Sequence, residues 1–409
     1  MTANGFLTID DRPLRGKVVL VRVDINCPVD PATREVSNDE RIRLHAETTL
    51  RELREKGART VILSHQGRPG DDDFISLRGH APLLEKHLGG PVQFVDDIFG
   101  SAAKQAIRSL PEGGTLLLEN VRFFAEEMLE RPADAQASNL LVRELAPLAD
   151  CFVNDAFAAI HRSQASLVGF GAVLPALAGR VMERELAALS AVLAGERKPV
   201  HFVLGGVKVK ESLKVMGSLL ARGKADRILT GGLLGNLLLA ARGYDLGKAS
   251  RETLQGKGIL DLLPQARDLV RAHGKQIETP VDVALQNGGR QDVGVGELPS
   301  PYLIADIGRE TVGRYGRILE DAGTIVVNSP LGRFELPGFG YGTEALLKKV
   351  AGLQAFTVVG GGHSAKLVSE LGLSQEFGHV SMGGRATLYY LAGEETPVVQ
   401  MLERSKRAS

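Results

Sequence analysis

Short β-branched apolar runs alternate with amphipathic stretches from one end of the chain to the other. KVVLVRV (17–23) is continuous enough for a strand buried on both faces. RIRLHAETTLRELREKG (41–57) carries Ile42, the Leu44/His45 pair, Thr49, Leu50 and Leu53 at helical spacing, with Asn38 or Asp39 to cap it and Gly57 to stop it. TVILSH (60–65), PVQFVDD (91–97), GTLLLEN (114–120) and CFVND (151–155) continue a first series of predicted strands. VHFVLGG (200–206), DRILTGG (226–232), GTIVVN (323–328) and FTVVGGG (356–362) form a second series. Strands alternating with helices imply βαβ crossovers and parallel sheets covered on both faces. The predicted class is therefore α/β, with two doubly wound parallel sheets in tandem. Between the series, LPALAGRVMERELAALSAVLAG (174–195) has one long helical pattern, either a connecting helix or the next crossover, and we take it as the connector. The tail after Pro397 is too short for a domain; it frays or docks elsewhere.

Charge and composition narrow the ligand. Forty-nine Lys+Arg balance 49 Asp+Glu, so the chain has no long-range field for nucleic acid or an anionic membrane. An anionic ligand must then meet a local basic cluster. The segment MTANGFLTIDD lacks a basic and an apolar region, and no run approaches a membrane span, so the expectation is a soluble, cytoplasmic protein. Cys27 and Cys151 are far apart with no CxxC spacing, which argues for small packed residues rather than a disulfide framework or zinc site. No HExxH occurs. His80 and His87 fall on a predicted helix, where a surface or capping role is expected, and His45, His201, His273 and His379 have no nameable partner. The 48 glycines of 409 residues exceed the average of about 7% without collagen period or low complexity, which points to ligand-binding turns.

The two halves end their strands differently. In open α/β sheets ligands bind beyond the carboxyl ends of the strands. In the first half those ends carry Asp24 and Asn26, then His65 and Arg68, then Arg122, then Asn154, Asp155, His161 and Arg162, while Arg41 opens the first helix. Each arginine alone is as compatible with a solvated surface charge. Together, at four strand ends of a neutral chain, they suggest a pocket for a small multiply charged anion, since the planar guanidinium pairs bidentately with carboxylate and phosphate. The second half offers VLGGVKVKES (203–212), LTGGLLGN (229–236) and VVGGGHSA (358–365), each strand, glycine cluster, helix. Such turns either pack tightly or cradle phosphate on backbone N–H groups, with Lys208 able to follow a phosphoryl group as a point charge. Neither a Walker A nor a dinucleotide GxGxxG after a strand is present. An anion pocket in one half and a phosphate-binding site in the other suggest phosphoryl transfer.

VRVDINCP, SHQGRP, ENVRF, NDAFAAIHR, the GGVK turn, NSPLGRFE and the GGGHS turn occur in the order found in phosphoglycerate kinases, and the chain resembles that family, in its archaeal-type branch, over about 14–400. The resemblance implies an N-terminal 3-phosphoglycerate domain (1–173), a connecting helix (174–195), a nucleotide domain (196–396) and a tail (397–409) packed back on the first domain, with the active site in the interdomain cleft. It implies reversible transfer between 1,3-bisphosphoglycerate and MgADP, giving 3-phosphoglycerate and ATP, with Mg²⁺ accompanying the nucleotide and no protein metal ligand assigned. Asp24, Asn26, Arg41, His65, Gln66, Gly67, Arg68, Arg122 and Arg162 match its substrate residues. Gly205, Gly206, Lys208, Gly231, Gly232, Asn328, Pro330, Glu335, Gly361, Gly362, His363 and Ser364 match its nucleotide residues, with Arg41 and Lys208 serving the transition state. A monomer is expected. His363 and Ser212 stand where bacterial and eukaryotic members have aspartate and lysine, as in the archaeal branch. Ser329, Arg333, Lys210, Glu211 and Arg385 are further departures. The alternatives are a divergent paralogue that binds 3-phosphoglycerate or a similar acid with weak or altered transfer, and an unrelated α/β dehydrogenase, which the missing dinucleotide fingerprint disfavours.

Overall fold

The structure, a computed structural model, describes residues 5–408. The chain divides into two compact units, Met1–Ala187 with Glu395–Ser409, and Ala188–Glu394.

The first unit is built on six parallel strands: β1 (Val18–Arg22), β2 (Arg59–Leu63), β3 (Gln93–Val95), β4 (Thr115–Leu118), β5 (Cys151–Asn154) and β6 (Ala176–Ala178). Their order is β3-β4-β2-β1-β5-β6. Every residue of β1 is buried, as its unbroken apolar run requires, with Val19 beside Thr60 on one flank and Cys151 on the other. The chain passes from β1 to β2, β3 and β4 on one flank and then crosses to β5 and β6 on the other, so the strand order reverses beside β1 and opens a crevice beyond the carboxyl ends of β1, β2, β4 and β5. The predicted helix 41–57 is present but not uniform. Glu40–His45 passes through a π-helical turn, Ala46–Leu50, before α-helix resumes at Arg51–Glu55, an irregularity that often lies beside functional groups.

The predicted helix 174–195 starts later, at Arg180, and runs to Ala194. Ala176–Ala178 instead forms the edge strand β6, and Ala178 N–H donates to Leu7 O at 2.8 Å. Pro175 disfavours a helix through this stretch. Gly179 then brings the backbone against Asp155, where a Cβ would come within 2.2 Å of the carboxylate. The terminal helix Pro397–Ala408 belongs to the first unit, burying Val398, Met401 and Leu402, and Ser405 Oγ accepts from Ala176 N–H at 2.7 Å.

The second unit has a sheet of β7 (Val200–Leu204), β8 (Arg227–Thr230), β9 (Ile277–Glu278), β13 (Thr324–Asn328), β14 (Phe356–Gly360) and β15 (His379–Val380). All pair in parallel, in the order β15-β14-β13-β7-β8-β9. A smaller antiparallel sheet, absent from the sequence reading, joins β10 (Asp282–Gln286), β11 (Arg290–Gly294) and β12 (Leu303–Ile307). Its signal was Asn287-Gly288-Gly289 between two alternating runs, a hairpin turn in which Gly288 holds φ +63°. No helix among the described residues is long and apolar enough to cross a membrane.

Both cysteines are buried and free, and burial pushes each thiol up to about 12, which suits packing rather than chemistry. His80 departs from its expected surface role and is fully buried. Gln66 Oε1 accepts from Cys27 N–H at 2.9 Å, so His80 Nε2, 3.2 Å from the same oxygen, must be the donor. Burial pulls His80 down to about 4. Below pH 6.5 the unfolded chain takes up a proton that the folded chain refuses, so His80 makes stability fall with decreasing pH. Between pH 6.5 and 5 this contributes roughly 2 kcal/mol. Urea midpoints across that window should drop steeply in the parent protein and more shallowly in His80→Gln; identical slopes would exclude the assignment.

Candidate active site

In the first unit the loops after β1, β2, β4 and β5 converge on a buried cationic cluster. Arg22, the last residue of β1, is 1% exposed. It donates from Nη2 to His65 Nδ1 at 2.8 Å, from Nε to Ser166 Oγ at 2.9 Å, and from Nη1 to Val23 O. An arginine only donates, so Nδ1 is the acceptor and the proton of neutral His65 sits on Nε2. Burial, then the charges of Arg22 and Arg122, hold His65 well below its ordinary pKa. Arg122 donates from Nη1 to Gly67 O, while its Nη2 is buried with no hydrogen-bond partner among the described residues. Burial, together with Arg162, Arg22 and Arg68, lowers the Arg122 guanidinium to about 10. Arg162 follows the turn after β5, and Arg68 is exposed at the end of the β2 loop. The nearest buried countercharge is Glu127, which accepts from Ser166 N–H at 3.0 Å and from Ser166 O–H at 2.5 Å, so the hydroxyl bridges it to Arg22. Burial raises the Glu127 pKa, against the pull of Arg22. The cluster therefore repels itself and leaves one guanidinium nitrogen unpaired, which is the condition for taking up an anion.

Around it sit Asp24, Asn26 and Arg41. Burial works to raise the Asp24 pKa, but Arg41, His65, His45 and Arg22 together hold it well below the usual carboxylate range. Arg41 is ion-paired to Asp24 Oδ2. Asn26 Oδ1 accepts from Gly67 N–H at 3.0 Å. Gly67, at φ +66°, leaves no room for a side chain, since a Cβ would meet the Asp73 backbone at 2.5 Å. Gln66 is brought near these residues but does another job. Its amide is fully buried and bonded to Cys27 N–H, Cys27 O and His80.

Two residues here escaped the sequence reading as partners. His45, thought to be alone, is 3% exposed, with Nε2 accepting from Asp24 N–H at 3.3 Å and Nδ1 2.7 Å from Asp155 Oδ2. The other Asp155 oxygen accepts from Val181 N–H at 2.9 Å and Met182 N–H at 3.1 Å, capping the helix Arg180–Ala194. A buried acid–imidazole pair thus ties the Asp24 backbone to the start of that helix. Only the helical spacing of His45 hinted at it, placing the ring on the buried face.

In the second unit the glycine turns after β7, β8 and β14 and the turn after β13 gather beyond the strand ends. A Cβ on Gly205 would lie 2.2 Å from Pro330 O, so the backbones pack with nothing between them. Gly231 and Gly232 open the helix Gly232–Ala241, and Gly361 and Gly362 open the helix Gly362–Glu370. Lys208 is exposed at the start of the helix Val209–Ala221. At these strand ends the buried atoms Asn328 Nδ2 and Ser364 Oγ have no hydrogen-bond partner among the described residues. With the helix N–H groups they form a polar corner suited to phosphate oxygens. A cavity of about 190 Å³ adjoins it, with Gly206, Gly232, Pro330, Arg333 and Glu335 among its lining residues. His363 is exposed and lies against Phe334, ring centroids 5.3 Å apart.

Most of the departures from the family pattern have local partners or a fitting backbone. Ser329 holds φ +74°, the left-handed region in which glycine is at home, and its hydroxyl donates to Asn328 Oδ1 at 3.0 Å. Arg385 and Glu211 face one another at 3.6 Å. Arg333 lies 3.4 Å from Glu335 in an exposed pair. Nothing in the structure explains Lys210.

The family model described as phosphoglycerate kinase matches 9–394. The chain is 48% identical to a phosphoglycerate kinase of Methanothermobacter thermautotrophicus over 402 residues, 98% of this chain and 97% of that one. It is 43% identical to one of Sulfurisphaera tokodaii over 398 residues, 97% and 95% of the two chains. The solved phosphoglycerate kinase of Pyrococcus horikoshii superposes with a TM-score of 0.92 at 38% identity, over 98% of this chain and all of that one. That of Coxiella burnetii gives 0.82 at 32% identity, over 99% of this chain and 100% of its own.

Left-handed backbone at a non-glycine residue costs roughly 1–2 kcal/mol, and glycine's larger entropy loss on folding takes back roughly half. Ser329→Gly should therefore stabilise the second unit by about 0.5–1 kcal/mol in urea unfolding. An unchanged or lower midpoint would mean that the hydroxyl bond to Asn328 already compensates the strain.

Proposed function

The chain belongs to the phosphoglycerate kinase family and is a phosphotransferase, and we propose that it moves a phosphoryl group reversibly between the acyl phosphate of 1,3-bisphosphoglycerate and MgADP. The observation that carries this reading is the buried Arg22–His65–Arg122 cluster with its unpaired Arg122 nitrogen, which wants a multiply charged anion where Asp24 and Asn26 offer acceptors for a hydroxyl. A 3-phosphoglycerate molecule has those features: a phosphate for Arg122, Arg162, Arg68 and His65, and a hydroxyl and carboxylate for Asp24, Asn26 and Arg41. Neutral His65 would donate from Nε2–H to the bound anion, whose charge would also raise its pKa.

The second unit supports the nucleotide side. The glycine turns and the unpaired Asn328 and Ser364 atoms suit the phosphates, and Glu335 on the cavity wall suits ribose hydroxyls. Among the described residues no group of three or more His, Cys, Asp or Glu is placed to hold a metal ion. Magnesium would enter as part of the nucleotide substrate, bound mainly by its phosphates and water.

An acyl phosphate is already activated, so the protein needs no covalent intermediate. Catalysis is positioning plus neutralisation of charge on the transferring group. Arg41 starts this process tied to Asp24; a substrate hydroxyl that engages Asp24 would release the guanidinium toward the phosphoryl oxygens. Lys208, unencumbered at its helix start, would follow the group from the nucleotide side. Exclusion of water would protect the acyl phosphate from hydrolysis. The alternative of a binding paralogue has less support, because Ser329 keeps the glycine-like backbone and Arg385 is paired with Glu211.

Turnover in a coupled assay with 3-phosphoglycerate, ATP and Mg²⁺ tests the reading directly. Arg41→Ala and Lys208→Ala should each lower kcat by roughly 10²–10³, the scale of losing one transition-state donor. Near-normal kcat in both variants would remove these roles, and tight 3-phosphoglycerate binding without turnover in the parent protein would favour the binding paralogue.

A further inference from the structure

Arg22 spends its three nitrogens on three different partners. Nη1 donates to Val23 O, Nη2 to His65 Nδ1 at 2.8 Å and Nε to Ser166 Oγ at 2.9 Å. A fully buried carboxylate, Glu127, stands close by, and both groups would lose less by pairing directly than by facing apolar surroundings. Among the described residues that direct ion pair does not form. Ser166 lies between the two, itself fully buried, and holds the carboxylate twice. Its N–H donates to Oε2 at 3.0 Å and its hydroxyl to Oε1 at 2.5 Å. A hydroxyl has one proton to give, and this one goes to Glu127, so the oxygen accepts from Arg22. The carboxylate is thereby kept one hydroxyl away from the guanidinium. Arg22 keeps its Nη2 on His65, and its charge is offset without being cancelled.

We propose that Ser166 is a positioning residue for the anion pocket, a spacer that stops Glu127 from drawing Arg22 off His65 and so fixes the His65 ring with its proton on Nε2. Ser166→Ala removes the acceptor of Arg22 Nε and one of the two bonds on the carboxylate. A buried donor and a buried acceptor left unsatisfied side by side then satisfy each other, and the guanidinium turns onto Glu127. His65 Nδ1 loses its donor, and nothing holds the ring proton on the far nitrogen. The pocket gives up a fixed donor and part of its positive charge in one step. The inference rests on the reading of this pocket as the 3-phosphoglycerate site and adds to it the group that sets the state of the pocket's histidine.

The test reads the ring directly, in the full chain carrying histidine labelled with the heavy nitrogen isotope and without substrate. Proton–nitrogen correlations, with the His65 signal assigned by its loss in His65→Gln, should show a bare Nδ1 and a protonated Nε2 in the parent protein. Ser166→Ala should lose that pattern. It should also raise the KM for 3-phosphoglycerate about tenfold, the scale of one charge-assisted hydrogen bond, with a smaller change in kcat and none in the KM for ATP. Combining Ser166→Ala with Glu127→Gln leaves Arg22 no carboxylate to turn onto, and should restore both the ring pattern and the KM. A serine needed only for packing would make the double variant worse than the single. Circular dichroism checks the fold, and Ser166→Cys, close in size and a poorer hydrogen-bond partner, replaces the alanine if that variant does not fold. An unchanged His65 ring in the folded single variant, or a double variant that restores neither quantity, overturns the proposal. A parent protein that shows the ring pattern but binds no 3-phosphoglycerate overturns the pocket reading, and the functional half of this proposal with it.

Discussion

Positive charge kept out of water governs the first unit. Arg22 is wholly buried at the end of the central strand, Arg122 nearly so, and His65 is forced neutral between them. In a low-dielectric site like charges repel by several kcal/mol, and an unpaired buried ion is worse than a paired one. The fold meets this with a few fixed negative groups. Glu127 reaches Arg22 through Ser166, and Asp24 faces Arg41. These neutralise part of the cluster and leave the rest for a ligand. The same imbalance would supply affinity for an anion.

Holding such a cluster requires anchors that do not yield, and these come from polar groups sealed below it. His45 fixes the backbone of Asp24, Asp155 fixes His45, and the same carboxylate caps the helix Arg180–Ala194. Thr49 Oγ1 accepts from Arg180 N–H at 2.8 Å, and Glu52 takes the Arg180 side chain through two bonds of 2.7 Å. The helix that begins near Arg41 therefore clasps the start of the helix that leads out of the first unit. Every bond in this set is buried or partly buried, so loosening one leaves others unsatisfied.

The sequence was legible where periodicity and geometry coincide. The nine strand runs are strands, and the arginines at the first-half strand ends do gather, because a parallel sheet puts all its carboxyl ends on one edge. What stayed hidden depended on distant pairs or on local competition. The Asp24–His45–Asp155 chain links residues up to 110 positions apart in one hydrogen bond, and no spacing rule encodes it. Residues 174–179 share the apolar character of the helix that follows, yet Pro175 and the close approach at Gly179 turn them into an edge strand. His80, expected at the surface or at a cap, is instead buried, with Gln66 supplying its acceptor.

The two halves differ in how much they constrain residue identity, and the difference follows from the groups that bind. At the site proposed in the first unit an anion would meet side chains, and a guanidinium cannot be exchanged without changing charge, reach or fork geometry. In the second, under the same proposal, it would meet mainly backbone N–H groups and helix ends, which demand only a permitted φ and open space. A turn of that kind tolerates Ser329 at φ +74°, provided its hydroxyl finds Asn328. It also tolerates an arginine at 385, given Glu211 at 3.6 Å. Departures from the family pattern collect in the second unit, as expected where recognition by backbone would leave side chains free to vary.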